Sequence, residues 1–282
     1  MRTVIKFAGA LLEDEAALRG LARQVAALAQ EGHEILVVHG GGRSFTATLQ
    51  RMGLESKFVA GLRVTGRETR DVAVMVFAGL LNKRLAAAIS AEGYPAIGIS
   101  AADAQCFLAE PMSHGEGARS LGYVGYLIGL NSSFLESLWR ERLIPVAPCL
   151  GLGADNEIYN INADHMAAAC AEFLSADQLI YLTDVAGVLD GEKVLSAVTC
   201  EEGERLIQGR VVSGGMILKL EAAKRALEGG VRQVRIVGGS APDALLLAAH
   251  SAGSGNAEPP SVPGTRVLRE PPVAARAALS AA

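Results

Sequence analysis

Short β-branched runs alternate with longer Ala-, Leu- and Glu-rich segments along most of this chain, and no other feature constrains its fold as tightly. Residues 3–7 precede a helical stretch from about 13 to 30. Residues 34–39 read as a buried strand, and Gly40-Gly-Gly42 leads into the next amphipathic stretch. Residues 96–100, 144–147, 178–182 and 233–237 repeat the pattern. Strands separated by helix-length segments predict an α/β fold around a mainly parallel sheet, with ligands beyond the carboxyl ends of the strands.

Residues 104–126 break the rhythm. Pro111, Ser113, Gly115 and Gly117, then Gly122, Tyr123, Gly125 and Tyr126, predict a hairpin or flap beside the sheet. A boundary near residue 170 divides the chain into two lobes of similar size, 1–170 and 171–268. A short strand is expected at 265–268, and a Gly-, Ser-, Pro- and Ala-rich composition from about Ser251 predicts a weakly ordered tail, which occupies 269–282.

Half of the 282 residues are hydrophobic, enough for a sizeable core. A net charge of −4 gives no global case for nucleic acid or an anionic membrane. No apolar run approaches the roughly 18–20 residues that span a bilayer; the longest, 72–81, stops at Asn82-Lys83-Arg84. Cys106, Cys149, Cys170 and Cys200 form no close pairs, so neither a zinc knuckle nor a disulfide framework is expected. They read as core residues of a reduced, cytoplasmic protein.

Three glycine-rich elements, each expected directly after a strand, are the candidates for chemistry. They are Lys6-Phe-Ala-Gly-Ala10, His39-Gly-Gly-Gly42 and Ser213-Gly-Gly-Met216, the last with Lys219 shortly after. Glycines there let the backbone approach an anion, and a following helix start adds N–H donors. A tight turn is the plain alternative for any one of them. None fits a P-loop or a dinucleotide-binding glycine motif. Lys6 lies inside an apolar strand and requires either an anion beside it or an edge position. Asp164 reads as a helix N-cap or a functional acid, Asn160 and Asn162 as turn formers or ligands, and Thr183-Asp184 as a cap or a site edge.

Taken together, these segments resemble the N-acetylglutamate kinase branch of the amino acid kinase family. The resemblance rests on Val4-Ile-Lys-Phe-Ala-Gly-Ala10, Val38-His-Gly-Gly-Gly42, Gly61-Leu-Arg-Val-Thr65, Asn82-Lys83, Leu121-Gly-Tyr-Val-Gly125, Tyr159-Asn-Ile-Asn-Ala-Asp164, residues 182–190 and Gly214-Gly-Met-Ile-Leu-Lys219, in that order. It extends from about residue 3 to Leu268. It implies a three-layer α/β sandwich of two lobes and transfer of the γ-phosphoryl group of MgATP to the side-chain carboxylate of N-acetyl-L-glutamate, in arginine biosynthesis.

By matching position, the resemblance makes Lys6 and Lys219 stabilisers of the phosphoryl group and Asp164 the residue that holds both. Gly41, Gly42, Arg63 and Asn160 would hold the acylated amino acid. Gly9, Thr183, Asp184, Val185, Gly187, Leu189, Ser213, Gly214, Gly215 and Met216 would border the nucleotide. Magnesium would be held mainly by the ATP phosphates, with no protein ligand assigned. The acceptor is already an anion, so His39 is not needed as a base and reads as structural. Tyr123 and Tyr126 are expected on a flap over the acceptor.

Two departures stand out. Ala8 replaces the first glycine of the usual Lys-x-Gly-Gly loop, and a negative φ is expected there, with Gly9 making the close approach. Ala102-Asp-Ala104 replaces a Gly-x-Asp-Gly. A kinase of another acylated amino acid, such as an aminoadipate type, and a non-catalytic amino-acid-binding module stay open on the same fold. With only two residues ahead of the first strand, a homodimer without strong inhibition by arginine is expected.

Overall fold

The first strand is enclosed from Thr3 to Phe7, as a parallel strand covered on both faces by helices should be. The computed structural model describes residues 1–112, 121–251 and 262–270. In chain order, β1 (Arg2–Phe7) leads to α1 (Gly9–Glu13) and α2 (Glu15–Gln30), then to β2 (Glu34–His39) and α3 (Gly42–Arg51). A hairpin of β3 (Phe58–Val59) and β4 (Leu62–Arg63) precedes α4 (Arg67–Ala73), a π-helical stretch Val74–Leu81 and α5 (Asn82–Ala91). Next come β5 (Ala96–Gly98), β6 (Phe107–Pro111), β7 (Gly125–Leu130), α6 (Ser132–Arg140), β8 (Ile144–Pro148), β9 (Leu150–Gly153) and β10 (Ile158–Asn160). The helix α7 (Ala163–Phe173) connects these to β11 (Gln178–Thr183). The remainder is β12 (Leu189–Asp190), β13 (Lys193–Val194), β14 (Ala197–Thr199), α8 (Cys200–Gln208), α9 (Gly215–Glu228), β15 (Gln233–Gly238), α10 (Ala244–His250) and β16 (Thr265–Leu268).

Eight strands form the central sheet in the order β14-β16-β15-β11-β1-β2-β8-β5, parallel except where β15 meets β16. Helix α2 packs with α5 and with α10, and α7 packs with α9 and β1, so the sheet is the middle of three layers. The mainly parallel α/β sandwich is therefore as expected. Strand order reverses at β1, which pairs with β2 on one side and β11 on the other. A crevice opens where neighbouring connections diverge in this way, at the carboxyl ends of the strands. Lys6 lies near that end of β1, level with Val38 and Tyr181. A second sheet, β10-β9-β6-β7, occupies the region that breaks the rhythm, and β10 passes directly into α7.

One local expectation, a strand directly before Ser213, is corrected, and three readings are narrowed. The apolar run 72–81 ends at Asn82-Lys83-Arg84 but the helix does not: a 25-residue helical segment, Arg67–Ala91, continues through them and is long and apolar enough to cross a membrane by length and composition. Lysine and arginine are good helix formers, and half of the most apolar window is buried inside the fold. Ser213–Met216 follows α8 and a turn, not a strand. The cap of α7 is Asn162 rather than Asp164: its side chain accepts from the N–H groups of Asp164 at 3.0 Å and His165 at 3.1 Å. Thr183 ends β11, and Asp184 caps no helix. Of the expected flap, residues 113–120 lie outside the described residues, as does the tail beyond 270. Cys106, Cys149 and Cys170 are buried and Cys200 is half-buried, consistent with their reading as core.

Candidate active site

Three elements far apart in sequence place one carboxylate between two ammonium groups. Lys6 reaches from β1, Lys219 from the second turn of α9 and Asp164 from the first turn of α7. Both lysine Nζ atoms lie 2.8 Å from Asp164 Oδ1. All three residues are buried, Lys6 at 7%, Asp164 at 8% and Lys219 at 5% exposure. Burial alone would raise the Asp164 pKa, but the two ammonium groups outweigh it and bring it down to about 2. Lys219 moves the opposite way. Burial and repulsion from Lys6 push it down to about 8, against the pull of Asp164. Tyr181 donates its hydroxyl to the backbone carbonyl of Asp164 at 3.2 Å and places its ring 5.0 Å from the Lys219 ammonium. Two cations and one anion leave a net positive charge in a buried site, which favours binding of a further anion.

Cavities open on both sides of this triad. The larger, about 450 Å³, is lined by Lys6, Asp164 and Lys219 together with Thr183, Asp184, Val185, Gly187, Leu189, Ser213, Gly215 and Met216. Val211 and Val212 also line it, and no motif singled them out. Gly214 is not among its lining residues. With φ +56° and ψ −130° it turns the chain into α9, a conformation that favours glycine. Asp184 faces Arg43 across the cleft at 3.7 Å.

The smaller cavity, about 230 Å³, is lined by Lys6 and Asp164 with Gly9, Gly41, Gly42, Arg63 and Asn160. Two loops meet here so closely that a Cβ on Gly9 would lie 2.9 Å from the Gly41 Cα. Ala8, one residue earlier, has φ −68° and donates its N–H to the Leu182 carbonyl at 2.9 Å, so the departure from glycine costs no backbone strain. Asn160 donates its amide to Thr65 Oγ1 at 3.1 Å.

Arg63 is held by two aromatic rings and by hydrogen bonds from its terminal nitrogens. The rings of Phe45 and Phe58 lie 4.8 and 4.6 Å from its guanidinium carbon. Its Nη2 donates to Thr46 Oγ1 at 2.7 Å, and its Nη1 donates to Ser56. Thr46 and Ser56 carry no pattern that marks them in sequence. Cys149 also lines this cavity; burial pushes its thiol up to about 12, so it is an uncharged wall. From the expected flap it is Val124, not Tyr123 or Tyr126, that reaches the cavity. Tyr126 instead donates its hydroxyl to Glu110 at 2.6 Å.

Among the described residues, no group of three or more His, Cys, Asp or Glu side chains is arranged to hold a metal. The site can therefore bring two anions together across a fixed positive cluster, with a smaller cavity on one side and a larger one on the other.

Residues 1–238 match the model of the amino acid kinase family. The acetylglutamate kinase of Koribacter versatilis (strain Ellin345) is 48% identical over 248 residues, covering 87% of this chain and 93% of that protein. The acetylglutamate kinase of Acidobacterium capsulatum is 42% identical over 246 residues, covering 87% and 94%. Among solved structures, smu.665 from Streptococcus mutans UA159 superposes with a TM-score of 0.77 at 26% identity, covering 95% of this chain and 99% of that one. An N-acetylglutamate synthase from Neisseria gonorrhoeae, complexed with coenzyme A and N-acetyl-glutamate, superposes with a TM-score of 0.82 at 24% identity. The match covers 96% of this chain but 60% of the synthase, and at that identity it shows the fold alone.

Proposed function

Because the chain belongs to the amino acid kinase family, and within it to the acetylglutamate kinase branch, we propose that it transfers the γ-phosphoryl group of ATP to the side-chain carboxylate of N-acetyl-L-glutamate, a step of arginine biosynthesis. The observation that carries this reading is the Lys6–Asp164–Lys219 triad, of which Lys6 and Asp164 line both cavities and Lys219 the larger one. ATP, with magnesium on its phosphates, enters the larger cavity in the lobe formed by 171–268. The acylated amino acid enters the smaller one in the lobe formed by 1–170, and Arg63 grips its α-carboxylate.

The acceptor oxygen attacks the γ-phosphorus, the bond from that phosphorus to the bridging oxygen breaks, and ADP leaves with the electron pair. No proton has to move, because the acceptor is an anion and the product is an acyl phosphate. Catalysis then consists of alignment and charge neutralisation, which two lysines supply as compact cations. Asp164 holds them at one point so that neither drifts toward a ground-state phosphate alone. We place the enzyme in the cytoplasm as a homodimer, with Met75 and Leu80 on the Arg67–Ala91 helical segment as exposed apolar surface for that contact.

An ADP-release assay with N-acetyl-L-glutamate, L-glutamate, N-acetyl-L-aspartate and N-acetyl-aminoadipate tests the substrate. The highest kcat/KM is expected for N-acetyl-L-glutamate. A preference for the aminoadipate compound, or no ADP release with any of the four, refutes the reading.

Arg63→Lys is expected to raise the KM for the acetylated amino acid by about ten- to a hundredfold and to leave that for ATP nearly unchanged. An ammonium cannot keep the planar fork or its contacts with the Phe45 and Phe58 rings, and a charge-assisted hydrogen bond contributes about 1.5–3 kcal/mol. Equal rises in both KM values would place Arg63 outside the acceptor site.

The pH profile supplies a further test. Lys219 must be protonated to act, and its pKa in the free protein is about 8. Its charged form is therefore present below that pH and lost above it, so kcat/KM should fall with an apparent pKa near 8. Bound phosphates favour the ammonium, so the limb of kcat should lie at higher pH. A kcat/KM profile that stays flat to pH 10, where about 99% of Lys219 would be neutral, contradicts the assignment.

A further inference from the structure

His39 ends β2 inside the fold with no exposed surface, and each of its ring nitrogens has a partner. Nδ1 lies 2.9 Å from the carbonyl oxygen of Gly40, and Nε2 lies 3.3 Å from the side-chain nitrogen of Asn82. A carbonyl oxygen only accepts, so Nδ1 carries the ring hydrogen and donates it. The lone pair of the neutral ring is then on Nε2, where it accepts from Asn82, whose amide also donates to the Val146 carbonyl at 2.8 Å. Burial supports the same state. It pushes the His39 pKa down to about 4 against the opposing effect of the Gly40 hydrogen bond, so the ring is neutral at physiological pH.

The consequence follows from peptide geometry. The Gly40 carbonyl and the Gly41 N–H belong to one planar trans peptide and point in opposite directions. When the ring holds the carbonyl inward, the N–H is turned away from the ring, and Gly40, Gly41 and Gly42 all line the smaller cavity. Three successive glycines have wide conformational freedom, and nothing in their own side chains would fix that peptide. We propose that His39 is a positioning residue: its Nδ1–H holds the Gly40–Gly41 peptide so that the Gly41 N–H donates to an anionic oxygen of the acceptor or of the phosphoryl group. This rests on the proposed function, which places those anions beside Gly41.

Two variants separate the tether from the rest of the ring. In His39→Asn the amide nitrogen falls near the position of Nδ1 and can still donate to Gly40. In His39→Gln the terminal group falls near Nε2, keeps the contact with Asn82 and leaves the Gly40 carbonyl untied. His39→Gln should lose about ten- to a hundredfold in kcat, somewhat less than deletion of an anion-binding donor costs, with the KM for ATP unchanged. His39→Asn should recover to within about threefold of the parent, because the donor to Gly40 is restored. Equal losses in both, or a His39→Gln variant as active as the parent, overturn the proposal.

A second measurement needs neither variant to fold. Long-range ¹⁵N correlation of the His39 ring in the unaltered protein at neutral pH should show hydrogen on Nδ1 and none on Nε2; the reverse pattern overturns the tether. Failure of the unaltered protein to turn over N-acetyl-L-glutamate would refute the proposed function instead, and the ring measurement would still decide the tether.

Discussion

Lys219→Ala is expected to lower kcat by about two or more orders of magnitude while changing the KM of either substrate much less, and Lys6→Ala should do the same. A cation fixed where charge is redistributed in the transition state acts most strongly there, in a buried site where water cannot replace it. Loss of a counter-charge is not the expected cause. Removing Lys219 leaves Asp164 paired with Lys6 at 2.8 Å, a neutral pair in place of a cluster with excess positive charge. The variant should therefore unfold at a temperature no lower than the parent, measured by calorimetry beside the kinetics. Near-normal kcat in either lysine variant would contradict the mechanism.

Asp164→Asn should fail differently. The amide keeps the shape and an acceptor oxygen but leaves two buried ammonium groups with no counter-charge. Breaking a buried ion pair by removing one partner costs about 3–5 kcal/mol, so a marked fall in thermal stability is expected along with a kcat loss of about tenfold or more. Asp164 is what holds the Lys219 pKa up against burial and Lys6, so its removal should move the alkaline limb of kcat/KM below pH 8. The stability difference should also depend on pH with a definite sign. The folded-state pKa of Asp164 is about 2, below the ordinary 3.8, so its stabilisation is complete above about pH 4 and is lost as pH falls through 2. The gap in melting temperature between parent and variant should narrow at acid pH. An unmoved alkaline limb would mean that Asp164 does not set the charge of Lys219.

The fold was largely legible in the sequence because its strands are buried on both faces and its helices on one, and burial writes a period into the chain. The sites of Lys6 and Gly41 were legible for a related reason: an ammonium in an apolar strand and a run of glycines both need an explanation. Asn162 and Asp164 were harder to rank, since either side chain can cap a helix and only the backbone geometry chooses between them. The continuation of the helix through Asn82-Lys83-Arg84 was hidden by the charges. Asn82 is fully buried on the His39 and Val146 side, whereas Lys83 and Arg84 face outward, and composition alone does not record that split. The clamp on Arg63 was not legible at all. Phe45, Thr46, Ser56 and Phe58 come from α3, the loop after it and β3, and only the tertiary fold brings them together.

Trapping the product with hydroxylamine tests the central claim most directly. Incubated with MgATP, N-acetyl-L-glutamate and hydroxylamine, the unaltered protein should form the acyl hydroxamate in step with ADP, and Lys219→Ala should form about a hundredfold less of both. ADP without hydroxamate, or binding of N-acetyl-L-glutamate with neither product, would contradict phosphoryl transfer to the carboxylate at this site.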